Sequence, residues 1–238
     1  MKRFGAPPLL GAELRVRRAR QLIGTLQRQE QAWANAHEHL ITGTVDEAGT
    51  IILDITKGDA RRMGRMSITI GETIYNLGAA LGYIIYDLAC MEARKHVAGT
   101  QFPMERSSAG FVSRITGKNA KGKSVGRFLK NVPATALPLI AKLQPYAGCT
   151  WTRDLNELSN PDKHRRLSPL RSKADIRVKD WQIVAIDPEM DKGTVAIQYD
   201  AEVEVFFGDG RPVRETLQAL CGEVEATVAV FKSRIHSS

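Results

Sequence analysis

The stretch from Trp151 to Arg166 crowds Arg153, Asp154, Asn156, Glu157, Asn160, Asp162, Lys163, His164, Arg165 and Arg166 into one segment. His164 is the residue type that exchanges a proton near neutral pH. Lys163, Arg165 and Arg166 are types that bind a phosphate and stabilise charge on it. Asn160 or Asn156 suits the orienting of a ribose or phosphate. A metal-free ribonuclease needs a proton shuttle and a cation for the pentacoordinate phosphorane. His164 and Asn160 as catalytic groups, with Lys163, Arg165 and Arg166 on phosphate, fill those roles. A plainer role fits the same residues: Asn160 caps a helix, Asp162 favours its dipole, and His164 with the arginines forms a solvated face.

A second motif runs from Gly117 to Ser124, Gly-Lys-Asn-Ala-Lys-Gly-Lys-Ser. It matches the phosphate-loop pattern G-x-x-x-x-G-K-[ST], which requires a buried strand before it and a helix after it. The preceding residues, Phe111 to Thr116, include Ser113 and Arg114, which do not suit a buried parallel strand. The repeated βαβ units of such an NTPase are also missing. A flexible basic loop is the expected reading, with Lys118, Lys121, Lys123, Arg127 and Lys130 meeting a nucleic-acid backbone.

Arg15, Arg17, Arg18 and Arg20 form a third basic group, either a solvated helix face or a polyanion contact. His37 and His39 are two apart and point to different faces of one helix, a poor metal pair. The three cysteines, Cys90, Cys149 and Cys221, are widely spaced and fit neither a disulfide framework nor a zinc site. No metal ligand set and no cofactor are expected.

The 238 residues suffice for one large domain or two small ones. A hydrophobic share of 43% and a charged share of 25% are ordinary for a chain with a real core. The formal charge of +8 and pI near 9.5 favour polyanionic partners, nucleic acid first. No signal-peptide pattern opens the chain, and no segment is expected to reach the roughly 20 apolar residues of a bilayer span. A cytoplasmic protein without membrane association is expected.

The elements that must position these groups follow from periodicity. Leu14, Leu22, Ile23, Leu26 and Trp33 mark a long helix within about residues 10–40. Residues of about 45–56 read as a short strand or hairpin. Ile70, Ile74, Leu77, Leu81, Ile84, Leu88 and Met91 step by four and three along a helix over about 65–96. Gly78, Ala79, Ala80 and Gly82 would let another helix approach it closely. About 99–131 reads as a long exposed loop, 134–143 as a short helix, and Trp151 to Leu158 as another. Asn160-Pro161 is expected to start a new helix. Beyond Pro169, four short runs (176–178, 181–186, 194–199 and 202–207) predict a β-meander, and Leu217, Leu220, Val224 and Val228 a closing helix. The expected fold class is α+β. Residues 1–170 would form a helical bundle with a strand insertion. Residues 171–238 would form a small antiparallel sheet with a C-terminal helix, packed on the bundle.

Gly71-Glu72-Thr73-Ile74-Tyr75-Asn76-Leu77-Gly78-Ala79-Ala80-Leu81 and Leu155 to Arg165, with its Asp-Lys-His-Arg core, resemble motifs of a group of bacterial and phage proteins. Gln144-Pro145-Tyr146 and Phe207 to Gly210 add to the likeness, which spans most of residues 65–238. That group is similar to the HEPN superfamily of helical bundles. The resemblance implies an RNA-binding protein or metal-independent endoribonuclease, often a homodimer with a shared site. The family's signature places an Arg or polar residue four to six positions before His. Asn160 and His164 have that spacing, with Asn where Arg is usual. The alternatives are a non-catalytic accessory or interaction protein and, third, a nucleotide binder.

Overall fold

The computed structural model describes residues 7–36, 41–45, 51–55, 60–163, 174–187 and 194–236, with side chains over 7–35, 61–159 and 204–235. In chain order the elements are α1 (Leu10–Ala36), β1 (Ile41–Val45), β2 (Ile51–Ile55), α2 (Ala60–Ala93), α3 (Ser108–Thr116), α4 (Leu137–Lys142), α5 (Thr150–Lys163), β3 (Ala174–Asp187), β4 (Thr194–Val205) and α6 (Val213–His236). The chain divides into two units. One comprises Met1–Ile23, Ile70–Ser168 and Leu217–Ser238; the other comprises Gly24–Thr69 and Pro169–Thr216. Neither unit is a consecutive stretch such as 1–170 or 171–238.

The first unit is a helical bundle. Ile70, Ile74, Leu77, Leu81, Ile84 and Leu88 of α2 are buried, while Met91, the last residue of the expected seam, is 45% exposed. Ala12, Val16, Ala19, Leu22 and Ile23 of α1 and Leu217, Leu220, Val224, Val228 and Phe231 of α6 are buried as well. Leu14, assigned to the apolar stripe of α1, is 48% exposed. Polar contacts fix the pairing of helices. The Leu9 N–H donates to Asp87 at 2.8 Å, and Arg15 donates to Asn76 at 3.1 Å, so α1 runs antiparallel to α2. Glu13 pairs with Lys232 and Arg20 with Glu225, so α6 is also antiparallel to α1. Two sides of α1 are thus occupied by two neighbours.

The second unit contains the C-terminal end of α1, the start of α2 and all four strands. Leu26, Trp33, Met66, Val205, Phe207 and Val213 are buried in it. The strands form an antiparallel ladder in the order β2-β1-β4-β3.

The expected α+β arrangement, a bundle followed by a small sheet of its own, is corrected. The packed core of the described residues is helical almost throughout, and no separate antiparallel sheet follows the bundle. Residues 174–205 form two long strands rather than four short ones, and the first ladder partner of β4 outside that pair is β1. The reason lies in β3. The break between the runs 176–178 and 181–186 is a register shift between Val178 and Trp181, and a second shift, between Ile183 and Ala185, lies within the latter run; each adds one residue to β3.

Three further expectations change. Part of the loop over 99–131 is helical: Ser107 caps α3 by accepting from the Gly110 N–H, and Phe102, Phe111 and Leu129 are buried. Asn160-Pro161 does not start a helix, because α5 continues to Lys163. Pro161, two residues before the helix end, lacks the backbone donor that an α-helix uses at that position. Among the described residues, α2 is long and apolar enough to cross a membrane, although 56% of its most apolar window is buried.

Candidate nucleic-acid interface

From Arg106 to Arg153 the chain has no Asp or Glu and nine Lys or Arg. Subtracting those nine charges from the chain's +8 leaves the remainder at −1. The net basicity of the protein therefore resides in 48 consecutive residues of the first unit. The signal was present in the sequence as an absence of acids, which a search for basic clusters does not count.

The centre of this segment is a tight hairpin. It leaves α3 through Gly117, whose left-handed backbone (φ 79°) lets its N–H donate to Ser113. A Cβ at Gly117 would lie 3.3 Å from the Arg127 Cβ, so the close return strand also favours glycine. Lys118 bridges Ser124, and the Val125 N–H donates to Gly117 at 2.9 Å. The Asn119 side-chain oxygen accepts from both the Lys121 N–H (3.0 Å) and the Lys123 N–H (2.9 Å). Lys118, Lys121, Lys123, Arg127 and Lys130 are all exposed.

The hairpin stands on a packed base. Arg114 lies over the Phe128 ring at 4.4 Å and donates to Glu105 at 2.6 Å. Arg127 donates to the Ile115 carbonyl at 2.7 Å, and the Leu129 N–H donates to Arg114 at 3.1 Å. Buried Gln144 accepts from the Glu105 N–H and donates to the Ile140 carbonyl, both at 3.0 Å. The backbone that carries Lys118, Lys121, Lys123 and Arg127 is thus tied to a packed base.

This geometry differs from the strand-loop-helix frame of a phosphate loop. A helix, α3, precedes Gly117 where a strand is required, and no helix begins at Ser124. The N–H groups of Lys118, Asn119, Lys121, Gly122 and Lys123 all donate within the hairpin or to Thr116, so they do not converge on a phosphate. What the hairpin offers an anion is side-chain charge.

The polar cluster is only partly described. Asn160 and Lys163 occupy the last turn of α5; their side chains, and the whole of His164, Arg165 and Arg166, lie outside the described residues. Earlier in α5, Glu157 pairs with Arg106 at 3.0 Å, and Arg153 lies 3.7 Å from Asp154. Both pairs are substantially exposed and contribute at most about 1 kcal/mol. The described geometry brings together Lys118, Lys121, Lys123 and Arg127, but does not join them to the cluster.

One charged residue has no counterpart among the residues singled out by motif or charge. Glu30 is 4% exposed, and Arg214 donates to it at 3.1 Å. Burial pushes its carboxyl up to about 7; Arg214 opposes that, while Glu215 and Glu204 add to it. Its position, four residues after Leu26 and three before Trp33, places it within the buried stripe of α1. That spacing was the available signal. Among the described residues no group of three or more His, Cys, Asp or Glu is placed to hold a metal. Compared with models of known families, with curated proteins and with solved structures, the chain matches none.

Proposed function

We propose that the protein binds nucleic acid, RNA being the first ligand to test, through the Gly117–Lys130 hairpin. The observation carrying this reading is the acid-free segment from Arg106 to Arg153, with its exposed lysines displayed on a scaffolded turn. A hydrogen-bonded backbone beneath the cations leaves less to order on meeting a phosphate backbone, and each contact releases condensed counterions. The test is fluorescence anisotropy with labelled RNA, comparing wild type with K118Q/K121Q/K123Q. The variant is expected to bind at least tenfold more weakly at low salt. Equal affinity removes the hairpin from the interface.

Cleavage is the second reading, and it rests on the resemblance around Asp162-Lys163-His164-Arg165. Asn160 and Lys163 are three positions apart in the last turn of α5. His164 would exchange the proton, and Lys163, Arg165 and Arg166 would hold phosphate. RNA degradation by wild type and by His164→Ala, with EDTA present, tests it. Cleavage by wild type alone supports the reading; equal activity excludes His164.

A further inference from the structure

A second aromatic and cationic surface lies on the first unit, formed by α1 and α2. Tyr75 is 63% exposed and Tyr83 is 37% exposed, on a helix that also exposes Ile68 and Met91. The Arg15 guanidinium lies 5.8 Å from the centroid of each ring, bridging the two. It is held there by Asn76, which is only 6% exposed, accepts from Arg15 at 3.1 Å and donates to the Glu72 carbonyl at 2.7 Å. Tyr83 is seated on the backbone of α1 at Gly11, where a Cβ would come within 2.5 Å of its ring. Two aromatic rings and a guanidinium are therefore fixed in place at the surface.

We propose that Tyr75, Arg15 and Tyr83 form a stacking platform for an unpaired nucleobase, so that the ligand of this protein is single-stranded nucleic acid. The proposal rests on the nucleic-acid reading given above and specifies its substrate class. Aromatic faces beside guanidinium groups accept any base by stacking, provided it is free of its partner. The charge beside the platform suits a phosphate backbone: Arg18, three residues after Arg15 and so on the same side of α1, is exposed. A base pair within a duplex hides its faces and gains nothing from such a platform. Glu72 opposes the strand; it is 52% exposed and 3.8 Å from Arg18. Its removal should therefore tighten binding.

The experiment measures the affinity of wild type, Tyr75→Ser, Tyr75→Phe, Glu72→Gln and K118Q/K121Q/K123Q for labelled oligouridine and for a hairpin RNA duplex. Tyr75→Ser is expected to weaken oligouridine binding by about 5- to 100-fold and leave duplex binding unchanged. Tyr75→Phe should behave as wild type, and Glu72→Gln should bind oligouridine more tightly. An unchanged oligouridine affinity in Tyr75→Ser, or an equal loss on both ligands, overturns the platform. If the lysine variant still loses affinity for both ligands, the hairpin interface survives that result. Failure of wild type to bind either RNA overturns both readings.

Discussion

The guanidinium of Arg114 is held between Phe128 and Glu105, 4.4 Å from the ring centroid and 2.6 Å from the carboxylate oxygen. Both charged side chains are largely withdrawn from solvent, at 26% and 19% exposure. This arrangement ties the outgoing helix α3 to the returning strand of the basic hairpin. Arg114→Ala removes the stacking and leaves Glu105 without that partner. We expect a loss of about 1–3 kcal/mol in local stability, read as faster tryptic cleavage at Lys118, Lys121 and Lys123. Unchanged cleavage would show that the hairpin does not depend on this base.

Asn119 offers a test of preorganisation without any change in charge. Its side-chain oxygen holds the N–H groups of Lys121 and Lys123. Asn119→Ala should accelerate hydrogen exchange at those two amides. RNA affinity should fall a few-fold, because a looser hairpin loses more freedom on binding. Fast exchange with unchanged affinity would mean that charge alone, and not shape, matters there.

Glu30 makes stability depend on pH. Burial raises its carboxyl in the folded state to about 7, above its ordinary value of 4.5, so the folded state holds the proton more tightly than the unfolded state. Stability is then full below pH 4.5 and declines as pH rises towards 7, by up to about 3 kcal/mol. Glu30→Gln should abolish this component, giving a smaller fall in Tm between pH 5 and pH 8 than wild type shows. An identical fall in both proteins would place the pH dependence elsewhere.

Much of the helical bundle was legible because α2 repeats its apolar residues at steps of three and four without interruption. The long strands were not, since the bulge in β3 between Val178 and Trp181 breaks the alternation where a turn would also break it. The helix α3 was obscured by its Ser- and Gly-rich texture, although Ser107 and Gly117 are its cap and its stop. The lysines of the hairpin were legible as a charge cluster. Their geometry was not, because it depends on Glu105, Gln144 and Phe128, spread over 40 residues of chain. Glu30 was hidden because a carboxylate on a helix rich in charges ordinarily faces solvent.

The central claim is that Lys118, Lys121 and Lys123 meet phosphates, and its most direct measure is the salt dependence of RNA binding. Plotted as log K against log salt concentration, wild type should give a steep negative slope. In K118Q/K121Q/K123Q the slope should be shallower by about 2, near 0.7 for each single-strand phosphate that is no longer neutralised. An unchanged slope in the triple variant would contradict the claim.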